Sequence, residues 1–187
     1  QQAIIGMAQN YVGSNNINIL MPIGQFGTRI KGGSDAASPR YIHTKLSETA
    51  KAIFRIEDSA VLNRLDDDGM LIEHEYYVPV VPMILVNGGL GIGTGFSTNI
   101  PNHNPTDIIA ECRKIISAID KQTKINTKED LQQIYPVIEK IRLSKITPWY
   151  IGFKGSIYPD KEGTFQSKGV WNWIDDQTIE VTELPLG

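Results

Sequence analysis

The run PIGQFGTRIKGG at residues 22–33, followed by ASPRYI at 37–42, decides how the chain is read. Gly24, Gly27, Gly32 and Gly33 recur in it with no helical period, which predicts a loop or wing. The Ser38-Pro39 turn then sets the Tyr41 phenol beside the Arg40 guanidinium. Arginine stays charged at any physiological pH and offers planar, paired donors that suit phosphate oxygens. A tyrosine so placed has the means to attack a phosphodiester and hold the broken strand as a phosphotyrosine ester. A phenol, with an ordinary pKa of about 10, needs a base or water relay and nearby positive charge to do so. Taken alone, an Arg-Tyr pair in a chain with seven tyrosines is a solvated surface pair. The weight comes from the whole run and from a second run further along.

That second run is VNGGLGIGTGFSTNIPNHN, residues 86–104. Gly89, Gly91, Gly93 and Gly95 alternate, so an extended strand here has one face without side chains, while Ile92 and Thr94 point the other way. No Lys-Ser/Thr follows the glycines, which excludes a Walker loop, and Phe96 stands where a Rossmann fingerprint needs its third glycine. On pattern alone Ile92 reads as a core residue.

Outward from these runs, residues 1–10 read as the end of a helix, with Ile4, Ile5, Met7 and Ala8 covering one side. YVGSNNINILMP, 11–22, reads as a turn followed by a short strand. From Ile42 to Phe54 the apolar residues recur at helix spacing, predicting an amphipathic helix that starts just after the tyrosine. Beyond residue 60, DDDG predicts a hairpin turn leading into a strand through VPVVPMILV, with Pro79 and Pro82 at edges or bulges. Asp66 to Asp68 are a turn rather than a metal cluster, because consecutive aspartates on an extended chain cannot all face one ion.

Residues 105–120 predict the clearest helix, capped by Thr106, with a stripe of Ile108, Ile109, Cys112, Ile115, Ile116 and Ile119. A second helix is expected over 127–141 after an exposed lysine-rich connector, starting at a cap-like Thr-Lys-Glu-Asp signal. The final stretch alternates as strands and turns, with Trp171 and Trp173 expected on a packed sheet face.

The two glycine-rich runs, with PIGQFGTR, SPRY and GIGTG in that order, resemble the breakage–reunion core of type IIA DNA topoisomerases, in the ATP-dependent eukaryotic and large-virus branch. The GQGNFGS, MRYTE and GIAVG forms of gyrase-like sequences do not occur here. The resemblance covers most of 1–111 and resumes around 148–187. It implies an α+β fold: the C-terminal part of a winged-helix domain at 1–56, then a mixed α/β tower domain with antiparallel strands at 57–187. The segment near 119–148 is longer than in most relatives and reads as a helical insertion. The resemblance further implies Tyr41 as nucleophile, Arg40 as stabiliser of the transition state, and Ile92 as a wedge that kinks DNA. Arg29, Lys154 and Gln25 are implied as further DNA contacts. It implies double-stranded DNA and a homodimeric parent as partners, and Mg2+ and ATP as cofactors, both bound outside this segment, with no metal site within it.

Composition permits this. The 187 residues are 41% hydrophobic and 21% charged, the balance of an ordinary globular chain. The lone cysteine, Cys112, excludes an internal disulfide and a cysteine-rich zinc site. VPVVPMILV is too short and too broken by proline to span a bilayer. The opening QQAIIGMAQN, lacking an initiator Met and a basic leader, reads as part of a longer chain, and the lone cysteine suits a reduced, intracellular setting. The resemblance implies the nucleus if the parent is cellular, and the host nucleus or cytoplasm if it is viral. The net charge of −3 argues against a polyanion partner, but its distribution does not. Residues 21–55 carry Arg29, Lys31, Arg40, Lys45, Lys51 and Arg55 against Asp35 and Glu48, a local +4, and residues 57–75 carry a local −6. Two other classes fit parts of this pattern: a non-catalytic winged-helix DNA-binding module, and a tyrosine recombinase-like strand transferase, whose clustered Arg and His residues are not seen here.

Overall fold

A computed structural model of the chain describes residues 1–122, 128–161 and 163–186. It is an α+β structure whose described strands form four separate antiparallel hairpins, none joined into a larger sheet. The helices are α1 (Gln2–Ala8), α2 (Glu48–Ile53), α3 (Met83–Val86), α4 (Pro105–Gln122) and α5 (Lys128–Glu139). The hairpins are β1 (Arg64–Asp67) with β2 (Met70–His74), β3 (Gly89–Gly93) with β4 (Phe96–Ile100), β5 (Ser156–Pro159) with β6 (Phe165–Lys168), and β7 (Val170–Asp175) with β8 (Thr178–Glu183).

The core nearest the glycine-rich run is small. Ile5 and Ala8 of α1 pack with Phe26 and Ile42, flanked by Leu20, Ala36 and Ala37. Residue 42 therefore does not begin a helix as its periodicity suggests. The backbone from 42 to 46 is extended and bridges Ile23 to His43 and Leu20 to Leu46. Ile23 and His43 exchange both of their amide bonds, at 3.1 and 2.9 Å, so these groups are unavailable for a helical ladder. The helix starts only after Ser47, whose side chain accepts the Ala50 amide at 3.0 Å.

Three further expectations are corrected. VPVVPMILV is not a strand: β2 stops at His74, and Pro82 opens the short helix α3 by taking the Leu85 and Val86 amides. The first turn of α4 is capped by Asn104 rather than Thr106, because the Asn104 Oδ1 accepts the Thr106 amide at 2.9 Å. Its apolar stripe is narrower than the spacing suggests, with Ile109 and Ile116 open to solvent and Ile108 buried. Helix α5 runs to Glu139 with Pro136 inside it; the expected Thr127 cap lies outside the described residues. The DDDG turn is present. Asp68 and Gly69 both take positive φ, 52° and 84°, and Asp66 Oδ1 accepts the Gly69 amide at 3.0 Å.

What ties these parts together is Asn16, buried at 7% exposure. Its Nδ2 donates to the carbonyls of Val86 (2.9 Å), His103 (3.0 Å) and Trp149 (3.0 Å), and its Oδ1 accepts the Ile151 amide at 2.9 Å. Three acceptors on one atom and a donor on the other fix the orientation of the amide, with two N–H protons shared among three carbonyls. The neighbours repeat the device. Asn87 exchanges two bonds with the backbone of Ile17, at 2.9 and 2.8 Å, and Asn102 Nδ2 donates to Ser14 O at 2.7 Å. Gly88 has φ 68°, and a Cβ there would run into Ile100 O and Asn102, so the entry to β3 needs glycine.

Asn16→Ala leaves the buried Val86 and His103 carbonyls and the partly buried Trp149 carbonyl and Ile151 amide without this partner, and a loss of about 2–4 kcal/mol is expected. Asn16→Asp should be at least as damaging, since a carboxylate would face those same carbonyls. Thermal unfolding against the unmutated protein checks both.

Candidate functional site

Tyr41 closes a single 3-10 turn, Pro39–Tyr41, in which its amide donates to Ser38 O at 2.9 Å. Proline fixes the first φ of that turn, and Ile42 immediately after it is anchored in the core. The tyrosine side chain is thus held at its base and open at its tip, 68% exposed. The Arg40 guanidinium lies over the Tyr41 ring, 5.0 Å from its centroid. A permanent cation and a phenol therefore share one face of one turn.

The loop leading to this turn is closed on itself. Ala37 donates to Gln25 O at 2.9 Å, and Gly32 and Gly33 donate to Arg29 O and Thr28 O, both at 3.0 Å. Asp35 receives the Thr28 amide on Oδ1 and its hydroxyl on Oδ2, both at 2.8 Å. The Thr28 amide above all, with the hydroxyl, the Asp35 amide and Lys31 adding to it, holds the Asp35 carboxyl below the ordinary aspartate range. Sequence reasoning does not single out Thr28 and Asp35; an Asp seven positions after a Thr across a double glycine is the signal that could have found them.

The β3–β4 hairpin presents a second apolar element. Pairing of Leu90 with Asn99 and Ile92 with Ser97 puts the two large side chains on one face. Gly89, Gly91 and Gly93 lie on the other face beside Ile100, Thr98 and Phe96. The fourth glycine, Gly95, is not in the strand as the alternation suggests; it makes the turn at φ 80°. Ile92 is not a core residue: it is 90% exposed, with Leu90 and Phe96 nearly as open. An exposed isoleucine at a hairpin tip has no packing role within the described residues.

The remaining sequence-predicted contacts are dispersed. Lys154 is exposed before β5 and Gln25 is exposed in the loop. Arg29 is engaged elsewhere: it pairs with Glu183 and donates to Leu184 O at 2.6 Å, so its guanidinium faces protein. Lys51 and Arg55 are likewise paired, with Glu48 and Glu57, and Arg55 holds the Glu57 carboxyl down to about 2. Among the described ion pairs, Lys31, Arg40 and Lys45 take no part, which leaves these three as the cations of the basic stretch without an acidic partner there. Trp171 and Trp173 are not on a packed face; they stand edge to face at 6.1 Å, about half exposed. No cluster of three His, Cys, Asp or Glu side chains suited to a metal occurs among the described residues. No described helix is long and apolar enough to cross a membrane.

The sequence and the fold resemble those of known proteins. The family model for the A subunit of DNA gyrase/topoisomerase IV matches residues 1–187. The chain is 45% identical over 189 residues to a probable DNA topoisomerase 2 of Dictyostelium discoideum, with 98% of this chain and 11% of that protein covered. It is 46% identical over 188 residues to DNA topoisomerase 2 of Arabidopsis thaliana, again covering 98% and 11%. The crystal structure of the DNA-binding, cleavage and re-ligation domain of Plasmodium falciparum topoisomerase II superimposes with a TM-score of 0.80 at 44% identity, over 99% of this chain and 22% of that one. The chain belongs to the family of DNA gyrase/topoisomerase IV A subunits. It spans about a ninth of the length of these curated relatives, which are eukaryotic topoisomerases 2.

Two outcomes test the geometry. Ile92→Ala should change stability by no more than about 0.5 kcal/mol, while Ile42→Ala should cost about 2–4 kcal/mol, as read by thermal unfolding. Because the folded Asp35 value is lowered, its closure of the loop holds in full above the ordinary aspartate value of about 3.9 and is lost as pH falls through the lowered value. Hydrogen exchange at the Thr28 amide, protected at neutral pH and released by Asp35→Ala, checks this.

Proposed function

We propose that this chain is the part of an ATP-dependent type II DNA topoisomerase that carries the cleaving tyrosine. The supporting observation is Tyr41 itself, an open phenol held rigidly at its base beneath a guanidinium, in a chain whose relatives bear the name topoisomerase 2. In this reading residues 1–56 are the end of a winged-helix domain, and 57–187 a tower domain with the helical insertion near 119–148.

In the reaction, Tyr41 Oη attacks a backbone phosphorus of duplex DNA. The bond from phosphorus to the 3′ oxygen of the preceding nucleotide breaks, and that oxygen leaves as a hydroxyl, taking up a proton. The phenolic proton passes to a base or to water. The product is a 5′-phosphotyrosine ester, close in energy to the bond it replaces, so the reverse attack by the 3′ hydroxyl reseals the strand. Arg40 steadies the negative charge that accumulates on the phosphate oxygens and the phenolate. Ile92 unstacks a base step and bends the duplex, at a cost of roughly a few kcal/mol that wrapped contacts offset. Two copies, one per strand, make a double-strand break through which a second duplex passes; the parent is a homodimer in this reading. Lys154 and Gln25 serve as minor DNA contacts.

Phosphoryl transfer commonly draws on a divalent metal. The described side chains do not converge into a carboxylate set, so they do not fit a resident Mg2+. Mg2+ and ATP are assigned to other parts of the parent protein. The parent works where its DNA is, in the nucleus of a cell or in the host nucleus or cytoplasm for a virus.

In the full-length protein, Tyr41→Phe should abolish covalent protein–DNA adducts trapped by denaturation, together with decatenation, while DNA affinity stays within about threefold, since one hydroxyl is lost. Adducts that persist in this variant would overturn the assignment of the nucleophile, and unchanged decatenation would favour a non-catalytic binding module.

A further inference from the structure

Arg29 lies in the glycine-rich loop, but its guanidinium is committed to the far end of the chain. Nη1 forms an ion pair with Glu183 Oε1, Nη2 donates to Leu184 O at 2.6 Å, and Cζ sits 6.0 Å from the centre of the Phe153 ring. Glu183 is the last residue of β8, opposite Val170, and only 7% exposed. Its Oε1 is shielded from solvent without a well-aligned hydrogen bond, so the contact with Arg29 is ionic. Arg29 is the only cation paired with Glu183 among the described residues. Opening such a pair leaves a buried charge uncompensated, which makes the contact costly to break. Three simultaneous partners also leave this guanidinium poorly placed to grip a phosphate.

On its other side, Arg29 connects to Tyr41 through backbone with little slack. Arg29 O takes the Gly32 amide, Thr28 is locked to Asp35, Ala37 is tied to Gln25 O, and Tyr41 to Ser38 O. A shift at Arg29 is therefore carried to the tyrosine turn rather than absorbed along the way. We propose that Arg29 and Glu183 are positioning residues for the cleavage reaction: a shielded clamp that fastens the loop carrying Tyr41 to the β7–β8 hairpin and so fixes where the phenol meets phosphorus. The proposal rests on the reading of Tyr41 as nucleophile. Small displacements of a reacting group, about 1 Å, cost up to about a hundredfold in rate.

The test compares Arg29→Ala, Arg29→Lys, Glu183→Gln and the Arg29→Ala/Glu183→Gln double variant in the full-length protein. Covalent adduct, DNA dissociation constant across a salt series, and melting temperature are all read. Arg29→Ala and Glu183→Gln should each lower the adduct fraction about tenfold. The double variant should be no worse than the worse single, as befits one shared contact. Arg29→Lys should recover most of the loss, and the DNA dissociation constant and its salt slope should not move. Should Arg29→Ala prove too unstable to fold, Glu183→Gln carries the test, because the charge it leaves unpaired is the partly exposed Arg29 rather than the buried Glu183. The proposal is overturned if Arg29→Ala alone weakens DNA binding and lowers the salt slope by about one, since that marks a phosphate contact. It is equally overturned if all variants form adduct at the unmutated level. Adduct that forms in the unmutated protein and vanishes in Tyr41→Phe establishes the nucleophile separately, so failure of the clamp and failure of the cleavage reading stay distinguishable.

Discussion

One side-chain amide organises this chain. Asn16 binds carbonyls from α3, from the approach to α4 and from the segment before β5, and accepts an amide from that last segment as well. These pieces lie far apart in sequence and bring few apolar side chains to a common centre; among the described residues the fully buried large side chain is Val86 alone. With so little oil to hold irregular backbone together, hydrogen bonding must specify the arrangement. A buried polar hub is directional, and it admits one arrangement of its partners where an apolar cluster tolerates several. The hairpin bearing Ile92 starts within this network, at Gly88, so the placement of that tip depends on an asparagine with no part in any chemistry.

Much of the site is legible in the letters because its signals are local. A proline fixes a turn, a glycine takes positive φ, and an arginine neighbours a tyrosine; none of these needs knowledge of a distant strand. The resemblance carried by the two glycine runs implies the α+β class, and the alternating glycines give a strand, which the structure pairs with 96–100 as a hairpin. What the letters hide is non-local. Periodicity from Ile42 to Phe54 suggests one helix, but Ile23 and Leu20 claim residues 43 and 46 as bridge partners, and tertiary pairing outweighs propensity in so short a segment. The same holds for VPVVPMILV, where Pro82 caps a helical turn instead of sitting on a strand edge. Asn16 reads as turn composition, since nothing in GSNNIN says which asparagine is buried. The ion pair made by Arg29 is invisible in the letters, because its acid lies some 150 positions onward, at Glu183.

The same non-local pairing revises the electrostatics. The basic stretch looks broad in sequence, yet three of its six cations are taken up by Glu183, Glu48 and Glu57. The field available to a polyanion is therefore concentrated on fewer residues, with Arg40 at the tyrosine among them. A net-acidic chain can thus present a small, focused positive surface, because charge segregation rather than average charge sets the local field.

The hairpin tip has one more consequence. Leu90, Ile92 and Phe96 stand in water like the bristles of a brush. Excluded salts such as sulfate drive oily surfaces together, while any salt loosens grip on phosphates. If the tip engages DNA as proposed, free and DNA-bound protein should answer ionic strength in opposite senses, the one growing stickier toward its own kind as the other lets go.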